Sequence, residues 1–255
     1  MIGIWGCCLC NSPVSGQRSA VNGQKPNAAS CAGFGFKEST LKERIFSMLN
    51  LDASLIYRIP ALLFTITVHE YAHGAMSSSL GDPTPEADSR LTMNPLAHLD
   101  LIGSLMLLLV GFGWAKPVRV DPRYYPDMRK GMLQVAFAGP GSNLFVTFLA
   151  MLLQLVFARY FNAGRGVLLF LNWLMLYNVW FAFFNLLPIP PMDGYNVLRT
   201  LLPYDKAAAY ERLVGPYVNL ILIVLCFTGV VSVVITPLST LYLRLCRAIL
   251  SLVLF

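Results

Sequence analysis

The sequence IPALLFTITVHEYAHG, residues 59–74, carries an apolar run directly into two histidines and a glutamate. It belongs to a chain of 255 residues that is 56% hydrophobic and only 13% charged. Soluble domains carry about a quarter charged residues, so this composition indicates a membrane protein. Ionisable side chains inside a membrane helix are rare and usually functional. The two histidines and the glutamate therefore indicate a functional site within a membrane helix.

Apolar segments of membrane-spanning length recur along the chain. A helix needs about 20 mostly apolar residues to cross a bilayer, because lipid offers no hydrogen-bond partners to the backbone. Four segments have this length: 54–80, 131–158, 166–187 and 213–235. They predict an all-α polytopic membrane protein.

Two further apolar segments are less regular. Residues 99–112 are short and are followed by glycines and Pro117, so we expect them to span poorly or to re-enter the membrane. Residues 236–255 place Arg244 and Arg247 among leucines at near-helical spacing. Such a pattern is typical of a helix in the membrane interface or of a last short span.

Basic residues outnumber acidic ones and give a formal net charge of +6. The 19 lysines and arginines are scattered through the loops, which fits a lipid bilayer and predicts no nucleic-acid partner. Five of them lie in residues 115–130, whereas the 159–165 loop holds two. The positive-inside rule therefore places residues 115–130 in the cytoplasm.

The N-terminal residues differ from the rest of the chain in composition. They are rich in Gly, Ser, Asn and Cys and lack the pattern of a signal peptide. We expect a mobile tail with a leading amphipathic segment at 1–47, a core at 48–235 and a C-terminal helix at 236–255. Cys7 and Cys10 have C-x-x-C spacing, but no second pair completes a metal site.

The histidines have the spacing of a zinc motif. On a helix, His69 and His73 project from one face a single turn apart, as two ligands of one Zn²⁺ require. Glu70 projects beside them as a candidate general base. The alternative is that the histidines only bond to neighbouring helices. The remaining histidine, His98, follows the span and is interpreted as a loop residue that orders its neighbours.

A carboxylate in an apolar setting is the expected third ligand. Asp193 lies in FNLLPIPPMDG, residues 184–194, where three prolines prevent a regular helix. We expect the chain to run extended there. A broken helix at membrane depth requires burial in protein or a watery cavity, which a metal site supplies. A plain helix terminus with an interfacial aspartate is the alternative.

These motifs together resemble the site-2 protease family of intramembrane zinc metalloproteases. The resemblance rests on His69-Glu70-x-x-His73 and on the Asn185 to Gly194 motif, and it covers most of residues 50–235. AGPGSN at 138–143 resembles the family's second-helix motif, and Gly111-Phe112-Gly113 resembles the turn of its re-entrant β-loop. The 159–165 connection leaves no room for a PDZ domain, so the similarity is to small bacterial members without PDZ or nucleotide-sensing domains.

The resemblance implies one Zn²⁺ on His69, His73 and Asp193, with Glu70 as the catalytic base. Three core helices, at about 54–80, 131–158 and 166–187, would surround the zinc. The implied substrate contacts are Asn185, Gly111, Phe112, Gly113 and Asn143. Residues 111–120, GFGWAKPVRV, are a candidate strand for an unwound substrate or a simple connecting hairpin, and Asn143, Asn178 and Asn185 either line a water path or bond between helices.

The expected function is zinc-dependent endopeptidase cleavage within transmembrane segments of protein substrates. The enzyme would lie in a bacterial plasma membrane with its active site toward the cytoplasm. Two alternatives remain at this point: a transporter, although no paired repeats are visible, and an inactive membrane-helix-binding protein, although every catalytic residue type is present. Oligomeric state and physiological substrate do not follow from the sequence.

Overall fold

The computed structural model describes residues 54–100, 103, 115–161, 163–228 and 230–254. Within these ranges the helices are α1 Leu55–Ser79, α2 Thr84–Ala87, α3 Pro95–His98, α4 Met128–Tyr160, α5 Arg165–Asn185, α6 Asp193–Leu201, α7 Tyr204–Val214, α8 Val218–Thr228 and α9 Val230–Leu254. Two 3-10 turns occur at Pro122–Tyr124 and Gly215–Tyr217. The described residues contain no strand, only an isolated antiparallel bridge between Leu99 and Ala115. The expected all-α class is confirmed.

Helices α1, α4 and α5 pack against one another and form the core. Their bounds agree closely with the three core helices expected at 54–80, 131–158 and 166–187. Buried apolar side chains from all three fill the space between them, among them Ala61, Ile66, Ala150, Met151, Leu171 and Phe181. The Asp127 side chain caps the start of α4 by accepting a hydrogen bond from the Lys130 N–H at 3.0 Å.

Buried polar side chains also tie the core helices together. The Asn143 amide of α4 donates to the Thr65 carbonyl of α1 at 3.0 Å and to the Asn178 side-chain oxygen of α5 at 2.7 Å. The Asn178 amide donates to the Thr65 hydroxyl at 2.8 Å. All three side chains are fully buried, so the bonds between helices replace the water that a membrane interior lacks. This network fixes the relative positions of the three helices beside the candidate site.

Three of the described helices are long and apolar enough to cross a membrane: α4, α5 and residues 230–252 of α9. Helix α1 has 25 residues, which is also sufficient length, but Arg58 and the polar residues of the zinc motif lower its mean hydropathy. Helix α1 therefore combines an apolar first part, which packs in the bundle, with a polar part around His69 and His73, where the site lies.

The C-terminal helices differ from the expected spans. The prediction of one span at 213–235 is wrong, because these residues are divided among the end of α7, the Gly215–Tyr217 turn, α8 and the start of α9. Glycine and proline in that turn break the helix. In contrast, α9 continues through Pro237, so the expected boundary at residue 236 falls inside a helix. Proline is tolerated in membrane helices because neighbouring groups satisfy the freed backbone.

A buried carboxylate fastens the segment 115–125 to the end of α1. Asp82, which is 1% exposed, accepts hydrogen bonds from the Ser77 hydroxyl at 2.6 Å and from the Asp121 N–H at 2.7 Å. Tyr125 meets the same Ser77 hydroxyl at 2.7 Å. We call residues 115–125 the strap, because they cross from the Leu99–Ala115 bridge to the start of α4. The strap reaches the candidate site through Val118.

Replacing Asp82 by asparagine is expected to lower thermal stability in a pH-dependent way. Burial alone would raise the pKa of the Asp82 carboxyl, but hydrogen bonds from Ser77, Thr84 and Asp121 outweigh it, so the pKa lies below its ordinary value. A depressed folded-state pKa gives stability that is present above the unfolded-state pKa and is lost as the pH falls through the folded-state value. The difference in melting temperature between wild type and Asp82→Asn should therefore be largest near neutral pH and shrink below about pH 4. Asp88→Asn, which removes only the exposed Arg119 ion pair on the same strap, is the control and should change little.

Several predicted features lie outside the described residues. These are the tail and amphipathic segment at 1–47, the expected re-entrant turn with Gly111, Phe112 and Gly113, and the remainder of 99–112 apart from Leu99, Asp100 and Gly103. They stay predictions.

Candidate metal centre

Three potential metal ligands converge between α1 and the start of α6. His69 Nε2 lies 3.0 Å from His73 Nε2, and Asp193 Oδ2 lies 3.1 Å and 3.2 Å from these two nitrogens. In a tetrahedral zinc site with bonds of about 2.0–2.1 Å, neighbouring ligand atoms are about 3.3 Å apart. The triangle therefore has nearly the dimensions that one face of a zinc tetrahedron requires. Among the described residues, His69, His73 and Asp193 form the cluster of histidine and carboxylate ligand atoms that lie close enough together to hold one metal ion.

Hydrogen bonds on the far side of each imidazole determine which nitrogen is free. His73 Nδ1 lies 2.7 Å from the Val135 carbonyl, which can only accept, so Nδ1 carries the proton. His69 Nδ1 lies 2.6 Å from Asn143 Oδ1, and the Asn143 amide nitrogen already donates to α1 and α5. His69 Nδ1 is therefore also the donor. With Nδ1 as the donor, Nε2 is the ring nitrogen that each histidine turns toward the centre, as metal-binding histidines do.

This arrangement fits a divalent cation. The two Nε2 atoms and the Asp193 carboxylate face one another at 3.0–3.2 Å. Asp193 Oδ2 is buried and accepts no hydrogen bond from the described part of the chain. Buried charges are ordinarily paired or bound to a metal. Two nitrogen ligands and one oxygen ligand on a closed triangle match the donor set of catalytic zinc sites, which keep one further position open.

The end of α5 places Asp193 at the site. Helix α5 ends at Asn185, as the prolines predict, but residues 186–192 form tight turns, so the prediction of an extended run is wrong. The Leu187 N–H bonds to the Phe184 carbonyl at 3.1 Å and the Met192 N–H to the Ile189 carbonyl at 2.9 Å. Turns satisfy these backbone groups within the chain, which an extended segment could not do without a partner strand.

Gly194 allows the close return of the chain after these turns. A Cβ atom at Gly194 would lie 2.1 Å from the Leu186 carbonyl oxygen, which is backbone and cannot move aside. Asp193 is the first residue of α6, directly before this contact. The glycine therefore lets α6 begin against the end of α5 with the carboxylate directed at the histidines.

Glu70 borders the same cavity and is held by the strap. The Val118 N–H donates to Glu70 Oε2 at 3.0 Å. The cavity measures about 190 Å³, and its lining includes the three candidate ligands, Glu70, Asn185 and the strap residues Pro117, Val118 and Val120. Glu70 is therefore a carboxylate beside the ligand triangle that is not one of its corners, as a general base must be.

Gly139 of α4 packs directly against both imidazoles. A Cβ atom there would lie 2.4 Å from His73 Nε2 and 2.7 Å from His69 Cε1. Gly139 and Asn143 thus lie one turn apart on α4, the first making room for the imidazoles and the second bonding to His69. Both residues lie within the motif AGPGSN, from which no function was predicted for Gly139. The short interval between a glycine and an amide on an apolar helix is the signal that could have indicated it.

The remaining predicted residues lie at different distances from the centre. Asn185 lines the cavity and donates to the Phe181 carbonyl at 2.9 Å. Asn143 and Asn178 bond between helices, and Asn143 reaches the site through His69. His98 is fully buried in α3, bonds to the Thr92 carbonyl at 2.9 Å and takes no part in the ligand cluster. This placement agrees with a histidine that orders its neighbours.

Substituting Asn143 by alanine is expected to weaken zinc binding by about 10- to 100-fold, because residues that orient ligand histidines have effects of this size. The measurement is zinc competition against a chelator of known affinity. Asn178→Ala is the matched control, since it removes bonds between helices without touching His69. Equal zinc affinities for the two variants would contradict an orienting contact to His69.

Comparison with curated proteins gives this arrangement a family. The chain is 35% identical over 188 residues to "Putative zinc metalloprotease YwhC" of Bacillus subtilis, covering 71% of this chain and 84% of that protein. The chain belongs to the site-2 protease family. The names of its relatives identify this site-2 protease as a metalloprotease. His69, Glu70 and His73 all lie in α1, which supplies two of the three candidate metal ligands.

Two more distant relatives of this site-2 protease carry similar names. "Putative zinc metalloprotease Rip2" of Mycolicibacterium smegmatis is 29% identical over 150 residues, which cover 55% of each chain. "Putative zinc metalloprotease MJ0611" of Methanocaldococcus jannaschii is 31% identical over 105 residues, covering 39% of this chain and 50% of that protein. No protein-family profile matches the chain. No solved structure matches it either.

Proposed function

We propose that this chain is a zinc-dependent intramembrane endopeptidase that hydrolyses peptide bonds within or near transmembrane segments of protein substrates. The observation that carries the proposal is the triangle of His69 Nε2, His73 Nε2 and Asp193 Oδ2, with sides of 3.0–3.2 Å, beside the carboxylate of Glu70. Helices α4 and α5, which border the site through Gly139, Asn143 and Asn185, have membrane-spanning length and composition, which supports chemistry at membrane depth. The relatives' names support zinc.

The residues of the chain divide the work of hydrolysis. His69, His73 and Asp193 would hold the ion, and Asn143 and Val135 keep both imidazoles in the tautomer that can do so. A bound Zn²⁺ would supply Lewis-acid polarisation of the scissile carbonyl and would lower the pKa of a water to about 7.

Proton transfer falls to Glu70. Its carboxylate accepts a proton from the attacking water as the C–O bond forms, and gives it to the leaving amine nitrogen as the C–N bond breaks. The Val118 N–H donates to Glu70 Oε2 at 3.0 Å and so holds the carboxylate in position beside the cavity. Asn185, which lines the cavity and uses one amide hydrogen on the Phe181 carbonyl, would donate its other amide hydrogen to the substrate carbonyl.

Substrate access is part of the proposal. A peptide bond inside a transmembrane helix is shielded by its own hydrogen bonds, so the substrate must unwind before it can react. Strap residues Pro117, Val118 and Val120 border the cavity, which supports pairing of the 111–120 segment with an unwound substrate.

We further propose a bacterial plasma membrane location with the site toward the cytoplasm, because residues 115–130 carry five basic residues. Regulated intramembrane proteolysis is the biological setting we infer.

The test is cleavage of a single-span test protein in vesicles by the purified full chain. We expect defined products whose ends map within or near the span, loss of cleavage after zinc removal by a chelator, and recovery after Zn²⁺ is restored. Asp193→Ala should show no recovery. Cleavage that survives removal of all zinc would contradict the metal-dependent reaction. Products that map only to exposed loops far from the span would contradict intramembrane cleavage.

A further inference from the structure

Helix α9 carries a row of polar residues that hydrolysis does not use. Thr236, Thr240, Arg244, Arg247 and Ser251 follow one another at intervals of four, four, three and four residues. At about 100° per residue, all five project within an arc of about 80° of the helix. Each is exposed or half-exposed. We call these five residues the polar stripe.

The polar stripe is distinct from the two other faces of α9. Ile235, Cys246 and Leu250 are buried against the core helices. Leu241, Leu245 and Leu252 are 57%, 54% and 86% exposed and form an apolar row suited to lipid. A helix surrounded only by lipid would have a uniformly apolar exposed surface. The stripe breaks that uniformity between the buried face and the leucine row.

Neighbouring contacts place both arginines level with the apolar middle of α4. The Tyr242 hydroxyl donates to the carbonyl of Leu144, the middle residue of α4, at 2.8 Å. Val231 and Ile235 pack near the Asp193 end of α5, in a cluster with Phe184 and Met192, whereas Cys246 and Leu250 belong to the large core cluster with Leu171 and Leu174. Helix α9 therefore runs toward the end where α4 joins α5.

The axial distances keep the arginines away from that end. At 1.5 Å per residue, Arg244 and Arg247 lie about 3 Å and about 7.5 Å beyond Tyr242, whereas α4 continues for about 24 Å beyond Leu144. Residues 248–252 of α9 are mostly apolar and extend further in the same direction. The arginines thus lie beside the apolar part of α4 and well short of its end at Tyr160. Charged side chains there are costly and are ordinarily paired.

No acidic partner for the arginines is found in the described part of the chain. Helices α4, α5, α8 and α9 contain no Asp or Glu, and neither arginine takes part in an ion pair among the described residues. The acidic residue of α1, Glu70, is bonded to Val118 beside the candidate metal. A second copy docked through the same face would oppose arginine to arginine. Among the described residues nothing supplies the opposite charge, so charge complementarity favours a different protein that carries a carboxylate.

We propose that the polar stripe of α9 is a docking surface for a transmembrane helix of another membrane protein that carries an Asp or Glu near its middle. A carboxylate can accept hydrogen bonds from guanidinium groups in a bidentate geometry. Thr236, Thr240 and Ser251 supply small polar groups that let two helix backbones approach closely. The surface is separate from the metal cavity, and its function does not depend on the hydrolytic activity.

The test uses the fluorescently labelled full chain in phosphatidylcholine vesicles at pH 8. Its association with labelled synthetic oligoleucine helices is measured by fluorescence resonance energy transfer. One helix carries a central Asp, a second a central Lys, and a third only leucine. We expect the Asp helix to bind at least about 10-fold more tightly than the other two, a difference of about 1.4 kcal/mol. The double variant Arg244→Leu, Arg247→Leu should lose this preference. Arg165→Leu, which removes an exposed arginine at the start of α5, should keep it.

Charge reversal strengthens the test. The variant Arg244→Glu, Arg247→Glu should prefer the Lys helix over the Asp helix. Equal binding of the three helices by wild type would overturn the proposal, and this comparison needs no variant to fold. A preference that survives the double Leu substitution would also overturn it. Two further outcomes would overturn it. In the first, the double Leu substitution weakens only the binding of the chain to phosphatidylglycerol vesicles, which would identify anionic lipid as the ligand. In the second, it weakens only the association of two labelled copies of the chain, which would identify self-association.

Discussion

Glu70→Gln is expected to lose peptide-bond cleavage while it keeps one zinc per chain. Glutamine preserves the size of the side chain but cannot accept the proton of the attacking water. General acid–base catalysis contributes about 10²- to 10⁴-fold, so kcat should fall by at least this factor. Zinc binding should survive because Glu70 supplies none of the three candidate ligand atoms, which lie within 3.2 Å of one another. The measurements are kcat on the single-span test protein and zinc content by atomic absorption.

The control for this substitution is Glu86→Gln, an exposed carboxylate of α2 outside the cavity. It should leave both kcat and zinc content unchanged. If Glu70→Gln retains full activity, the proton is carried by another group and the assignment of the base fails. If the variant loses its zinc, Glu70 acts in binding the ion and its separate catalytic function is contradicted.

Gly139→Ala is expected to remove zinc binding and, with it, activity. The new Cβ would approach His73 Nε2 to 2.4 Å and His69 Cε1 to 2.7 Å, closer than any tolerated contact. Neither imidazole can shift freely, because each is bonded on its far side, to Val135 or to Asn143. Relief must therefore come from rotating the ligands out of their triangle. We expect zinc affinity to fall by more than the roughly 100-fold effect of losing an orienting residue.

A matched control exists two residues away on the same helix. A Cβ atom at Gly141 meets nothing within 4 Å. Gly141→Ala should therefore bind zinc as wild type does, and the added methyl should not destabilise the helix. Equal zinc affinities in the two alanine variants would show that Gly139 is not packed against the ligands.

The core of the fold could be predicted from the sequence because its signals are local. The apolar runs at 54–80, 131–158 and 166–187 predict helices whose bounds agree with α1, α4 and α5, whereas the run at 213–235 does not form a single helix. The i, i+4 histidines depend only on helical geometry. The structure brings Asp193 to them, 120 residues after His73, as the pairing of a buried histidine motif with a buried carboxylate indicated.

The features that sequence reasoning missed depend on contacts between distant segments. Gly139 matters because two imidazoles from α1 pack on it, and no local pattern shows that. The turns before Asp193 satisfy their backbone through neighbouring carbonyls, where proline content alone suggested extended chain. Pro237 stays inside α9 because proline breaks a helix less readily within a membrane protein than in water.

Zinc K-edge X-ray absorption of the purified full chain tests the central claim most directly. With one zinc per chain, the spectrum should show two imidazole nitrogens and light oxygen ligands at about 2.0–2.1 Å, in four-coordinate geometry. Asp193→Ala should lose one oxygen ligand or the metal itself. A spectrum dominated by sulfur at about 2.3 Å, or wild-type protein that binds no zinc, would contradict a metal centre built from His69, His73 and Asp193.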